Sequence, residues 1–214
     1  MNLTTRLGPA TGVPWRPVAA LASTGVSLLF GAAVWLESSV ASTVATVGVL
    51  LLASATAYVL DEAAGEAVAA VPSSLRARSA ARLLVAAAVV AMGALVLAAG
   101  ALLGGLGAGP GITVQLAGLA LVAVAASAAM RRRVAEPGEA VAGGLIAVVL
   151  ALELAHPLDR WVELFPSQPG QRWAGSLLVW SVVAGVSIAG LYAATRDPLE
   201  RTVGARRTRS RALR

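Results

Sequence analysis

The sequence predicts an all-α, polytopic membrane protein with six transmembrane helices and both termini in the cytoplasm. Three observations predict it. Of 214 residues, 57% are hydrophobic and only 13% are charged, whereas a soluble domain carries about 25% charge. Apolar runs near the length needed to cross a bilayer, about 20 residues, recur along the chain. The basic residues, finally, fall almost wholly on one side of those runs.

Five uncharged runs have the required length: 18–36, 40–60, 83–104, 112–130 and 173–195. A sixth, 140–156, is shorter and contains one acid, Glu153. Runs one and two are joined only by Glu37-Ser38-Ser39, which makes them a tight hairpin, and a Gly/Pro-rich segment at 104–111 separates runs three and four. The first run can be weighed as a signal peptide, because Ser39-Val40-Ala41 resembles a weak cleavage site. Its 19 residues exceed a signal core of about 7–15, so an uncleaved first helix is expected. The whole chain reads as a single transmembrane domain, with residues 201–214 as a basic tail.

Short translocated loops avoid positive charge. Fifteen arginines lie in the N-terminal segment, in the loops after helices two and four, and in the C-terminal tail, against two (Arg160 and Arg172) in the remaining connections. Both termini are therefore expected on the cytoplasmic side of the cell membrane. Arg131, Arg132 and Arg133, with Arg206, Arg207 and Arg209 in the tail, are read as topogenic or as contacts to anionic lipid, and nucleic acid is not an expected partner.

Composition also excludes functions. All 17 basic residues are arginine and there is no cysteine, so disulfides and thiolate metal sites are ruled out. A P-loop needs a lysine for the β- and γ-phosphates, so the chain is not itself a conventional P-loop ATPase. One histidine, His156, cannot make a multi-histidine metal site. No nucleophile–base pair or phosphate loop is present, and the chain is not expected to be an enzyme.

The connection from Asp61 to Arg82 is 22 residues long, far more than a turn requires. Its first half has helical composition, with Glu62 and Glu66 four apart on one face. Pro72 disfavours helical geometry at Val71, and Ser73 or Ser74 can cap the next helix, whose first turns carry Arg76, Arg78 and Arg82. The pattern predicts a short amphipathic cytoplasmic helix, a proline break, then helix three. An interfacial helix and a partner-docking helix both fit that pattern.

The features Asp61-Glu62, Gly65, Ala67–Val71, Pro72-Ser73-Ser74 and Arg76–Arg82 resemble the first cytoplasmic loop of permeases in the ABC-2 type exporter family. Arg131–Arg133, the stretch from Glu136 to Ala140, Arg172-Trp173 and Arg196-Asp197-Pro198 are likewise similar to small six-helix permease subunits of actinobacterial ABC exporters. The resemblance implies that Asp61, Glu62, Gly65, Glu66 and Pro72 belong to a coupling helix that docks on a separate ATPase subunit. ATP and magnesium would then be bound by that partner and no cofactor by this chain. A second permease half, identical or different, would complete the pathway. It also implies that the segment before the last helix dips part-way into the membrane, for which Trp161–Phe165 is suited; an ordinary surface loop fits those residues equally well.

Glu153 and His156, three residues apart near the outer end of helix five, can be read in two ways. Ionisable groups within a span mark functional sites, which would suit a stand-alone proton-coupled secondary transporter. Beside Pro157 they can instead simply meet water at the headgroups. A non-transporting membrane scaffold is a third class. Gly100 with Gly104, and Gly185 with Ala189, have the spacing that lets helices approach closely.

Overall fold

In the computed structural model the residues described are 13–35, 38–61, 75–103, 109–131, 133–134, 136–155, 162, 164–166 and 173–195. Six helices account for nearly all of them: α1 (Trp15–Trp35), α2 (Ser38–Ala57), α3 (Leu75–Leu102), α4 (Gly109–Met130), α5 (Gly138–Ala155) and α6 (Trp173–Thr195). A single 3₁₀ turn, η1 (Tyr58–Leu60), extends α2. There is no strand among the described residues. By length and composition all six helices can cross a membrane, the expected solution where lipid offers backbone groups no hydrogen-bond partner.

The helix α3 begins at Leu75, so Arg76, Arg78 and Arg82 all belong to a helix that starts well before its apolar stretch. Glu62, Gly65, Glu66 and Pro72 lie outside the described residues, as do His156, Arg132, Arg206, Arg207 and Arg209.

The helices α2 and α4 form the centre. The former packs against α1, α3, α4 and α5, and the latter against α2, α3, α5 and α6. Within the spans 67% of the α2 residues and 56% of the α4 residues are buried, against 11% for α6. The row α1–α2–α4–α6 thus carries α3 on one side and α5 on the other. Leu95, Leu154, Leu178, Val182 and Val186 are exposed around the rim, an arrangement that suits lipid. We call the end of the bundle that carries Arg82 and Arg131 the basic end.

Apolar burial alone does little to bring helices together in lipid, so small residues that let backbones approach have more weight. Among the described residues, α1 and α2 make such a close approach. A Cβ added to Gly25 would stand 2.8 Å from the carbonyl oxygen of Gly48, and one added to Gly48 would stand 2.9 Å from that of Gly25. Gly185, whose spacing to Ala189 suggested a packing site, instead has nothing within 4 Å, and both residues are exposed. Spacing along one helix does not say which face meets a partner.

These glycines should respond to one substitution with opposite signs. In Gly25→Ala the new methyl meets backbone, which cannot rotate away, and a loss of about 1–3 kcal/mol is expected for such overpacking. Gly143 lies in α5 with nothing within 4 Å, so Gly143→Ala should gain about 0.5–1 kcal/mol from helix propensity alone. Unfolding in detergent micelles, followed by circular dichroism, checks both; Gly25→Ala as stable as the unaltered chain would refute the crossing.

Candidate functional site

The basic end contains a buried polar cluster built where α2 stops. A helix leaves its last carbonyls without intrahelical donors, and here they lie inside the bundle. Val59 and Leu60 are buried, so water does not serve them. Side chains of neighbouring helices do. Ser127 of α4 donates from Oγ to the Ala57 carbonyl at 2.9 Å. Arg82 of α3 donates from Nη1 to the carbonyls of Leu60, at 3.1 Å, and Asp61, at 3.2 Å. The Asp61 amide closes the turn on the Tyr58 carbonyl at 3.1 Å.

Asp61 then reaches the start of α5. Its Oδ1 accepts the amide of Gly138 at 2.9 Å, serving as an N-cap from a different element. This geometry needs glycine: a Cβ on Gly138 would run into the Asp61 carboxylate and come 2.8 Å from Tyr58 Cδ1. Pro137, just ahead, is also buried, and its missing amide suits the first turn of a helix. Behind the bond, Ala57, Ala123, Val141 and Ala142 make a small apolar cluster.

Asp61 is only 4% exposed and Arg82 only 2%. Burial pushes the Asp61 carboxyl up to about 6 from its ordinary 3.8; the Gly138 amide opposes that rise, Glu136 adds to it, and Arg131 and Arg82 oppose it. Glu136, Glu139 and Arg133 are exposed and Arg131 is half-buried.

At the opposite end one backbone carbonyl gathers three donors. Leu164 O accepts from Ser176 Oγ at 3.0 Å, Trp180 Nε1 at 3.0 Å and, at the long limit, Gln115 Nε2 at 3.4 Å. The Phe165 ring lies 5.5 Å from that of Trp180, and Pro166 is buried. Val162 and residues 164–166 are not helical. This part of the loop is pinned onto α4 and α6 by its backbone. Glu153 is half-buried on α5, and His156 lies outside the described residues. No three metal-ligating side chains come together among the described residues.

Of the residues singled out in the sequence, the structure therefore draws Asp61 into a site with Arg82, which charge counting had taken for a topogenic arginine. Ser127 and Tyr58 were not picked out, and Gly138 stood out only as part of the stretch from Glu136 to Ala140. The signal available for Gly138 was Pro137-Gly138 directly before an apolar run, a helix start that leaves an amide free. Comparison with protein-family models, characterised proteins and solved structures finds no match for this chain.

Removing one donor should cost more at the basic end than at the far end. Arg82→Met leaves two buried carbonyls without that donor, with an expected loss of about 1–3 kcal/mol. Trp180→Phe keeps a ring and leaves Ser176 on the Leu164 carbonyl, so about 0.5–1.5 kcal/mol is expected. Chemical unfolding of the purified variants measures both, and the reverse order would contradict this account of the cluster.

Proposed function

We propose that the chain is the transmembrane permease subunit of an ATP-driven ABC exporter, lying in the cell membrane with its basic end in the cytoplasm. A separate ATPase subunit, carrying ATP and magnesium, would couple to it through residues 61–75, and a second permease half would complete the pathway.

The observation that carries this reading is the bracing of the loop base. Asp61 and Arg82 stand at the two ends of the long connection, and Arg82 bonds the backbone at Leu60 and Asp61. Asp61 in turn holds the first amide of α5. A push on the intervening residues would therefore reach α2, α3 and α5 together. The arginine asymmetry and the six apolar helices are compatible with the same reading.

Glu153 supports a second reading. It is a half-buried acid in the α5 span, and an ionisable group there suits a proton-coupled secondary transporter. Such a protein would move substrate without nucleotide, and Glu153→Gln would abolish that flux.

The test of the first reading is co-purification. A P-loop ATPase is expected to accompany the tagged chain from its native membrane and to be lost when residues 62–72 are replaced by a Gly/Ser linker. Retention of the ATPase by the linker variant would sink the docking assignment. Nucleotide-independent transport in proteoliposomes would favour the second reading.

A further inference from the structure

On the docking reading proposed above, we infer that Asp61 is a positioning residue of the interior, holding the root of α5 to the base of the long loop, and that the surface offered to the ATPase begins beyond it.

A residue that a separate subunit grips must stand at the surface before that subunit arrives, because many interfaces form with little backbone rearrangement. Asp61 does not stand there. It is only 4% exposed, and its groups already have interior partners. Its amide donates to the Tyr58 carbonyl at 3.1 Å, its carbonyl accepts from Arg82 Nη1 at 3.2 Å, and Oδ1 accepts the Gly138 amide at 2.9 Å. Arg82, at the other end of the connection, is buried as well, and the chain is exposed two residues before it, at Ala80.

The backbone shows how an acid at the start of a loop comes to be enclosed. It leaves the helical path at Asp61, with φ −64° and ψ 141°, so the chain turns out of α2 at this residue. The carboxylate lies over Gly138, in the space that a Cβ there would need.

What the carboxylate holds follows from the contacts of α5. Among the described residues α5 packs only against α2, η1 and α4. Near its root that packing joins Val141 and Ala142 to Ala57 and Ala123. Methyl contacts of this kind set a separation but have little direction, whereas a hydrogen bond has both. The Gly138 amide belongs to the first-turn donors that a helix cannot satisfy itself, so Asp61 fixes where α5 begins. That bond needs an acceptor oxygen rather than a charge, and the side-chain oxygen of asparagine would serve. A docking contact made by Asp61 would have the opposite requirement, a charge at the surface.

Two variants separate these roles. Asp61→Asn keeps an acceptor and discards the charge; Asp61→Ala discards both. Hydrogen–deuterium exchange of the purified full chain in micelles, read over residues 136–142, should be about tenfold faster in Asp61→Ala. In Asp61→Asn it should match the unaltered chain. The P-loop ATPase should accompany both variants from the native membrane at undiminished yield, while the Gly/Ser linker over residues 62–72 loses it. Should Asp61→Ala fail to fold, Gly138→Ala, whose methyl meets the carboxylate from the α5 side, is expected to speed the exchange with the ATPase retained. Loss of the ATPase in Asp61→Asn, faster exchange in Asp61→Asn, or unchanged exchange in Asp61→Ala would overturn the assignment. Absence of an ATPase from the unaltered chain would defeat the docking reading instead, and the exchange rates alone would then decide whether Asp61 positions α5.

Discussion

The carbonyl groups at the end of α2 come to rest inside the bundle, and much of the basic end follows from their need for donors. In lipid or in a packed interior an unpaired carbonyl costs more than its hydrogen bond would contribute. A helix ending at the surface would leave the task to water. Here α2 continues through η1 to Asp61 with Val59 and Leu60 buried, so α3 and α4 must supply donors. Ser127 needs only its hydroxyl to serve Ala57. Arg82 serves two carbonyls with one nitrogen, which draws a guanidinium into the interior and sets a positive charge beside Asp61.

Once α2 is fixed in this way, the placement of α5 follows. Its first amide has no partner of its own, and the nearest acceptor is the residue that ends α2. The bond from Gly138 to Asp61 thus satisfies a helix start and helps satisfy a buried acid. Every member of such a network depends on the rest. It also explains why glycine stands at 138: the carboxylate occupies the space that a Cβ would take. The Gly25–Gly48 crossing follows a different rule, one of close backbone approach, and needs no polar group at all.

The helices were legible because membrane crossing is a demand on length and hydropathy, which apolar runs record directly. The partners of the helix ends were not. Arg82 reads in sequence like Arg76 and Arg78, a positive charge before an apolar run, and nothing local says that it turns inward to the α2 carbonyls. Gly138 and Asp61 are 77 residues apart, beyond any periodicity. Gly25 and Gly48 lie on separate helices, so a search for small residues four apart on one helix misses them and finds, among others, Gly185 and Ala189, which are exposed, with nothing within 4 Å of a Cβ placed on Gly185. Asp61 could be singled out because it begins an over-long loop; the reason it matters locally, its bond to α5, came only with the fold.

The two ends of the bundle solve the same problem with different chemistry, and the difference has consequences. At the far end a loop carbonyl, that of Leu164, is held by a hydroxyl, an indole and an amide. None of these groups changes charge under physiological conditions, so that attachment is indifferent to pH. At the basic end the corresponding work falls to a carboxylate and a guanidinium in a nearly dry site. Their balance depends on charge, and charge can be altered by protons, by salt or by an incoming partner's own ionised groups. By that reasoning the attachment at Leu164 is indifferent to charge and the one at Asp61 is sensitive to it, at the end where the long loop joins the helices.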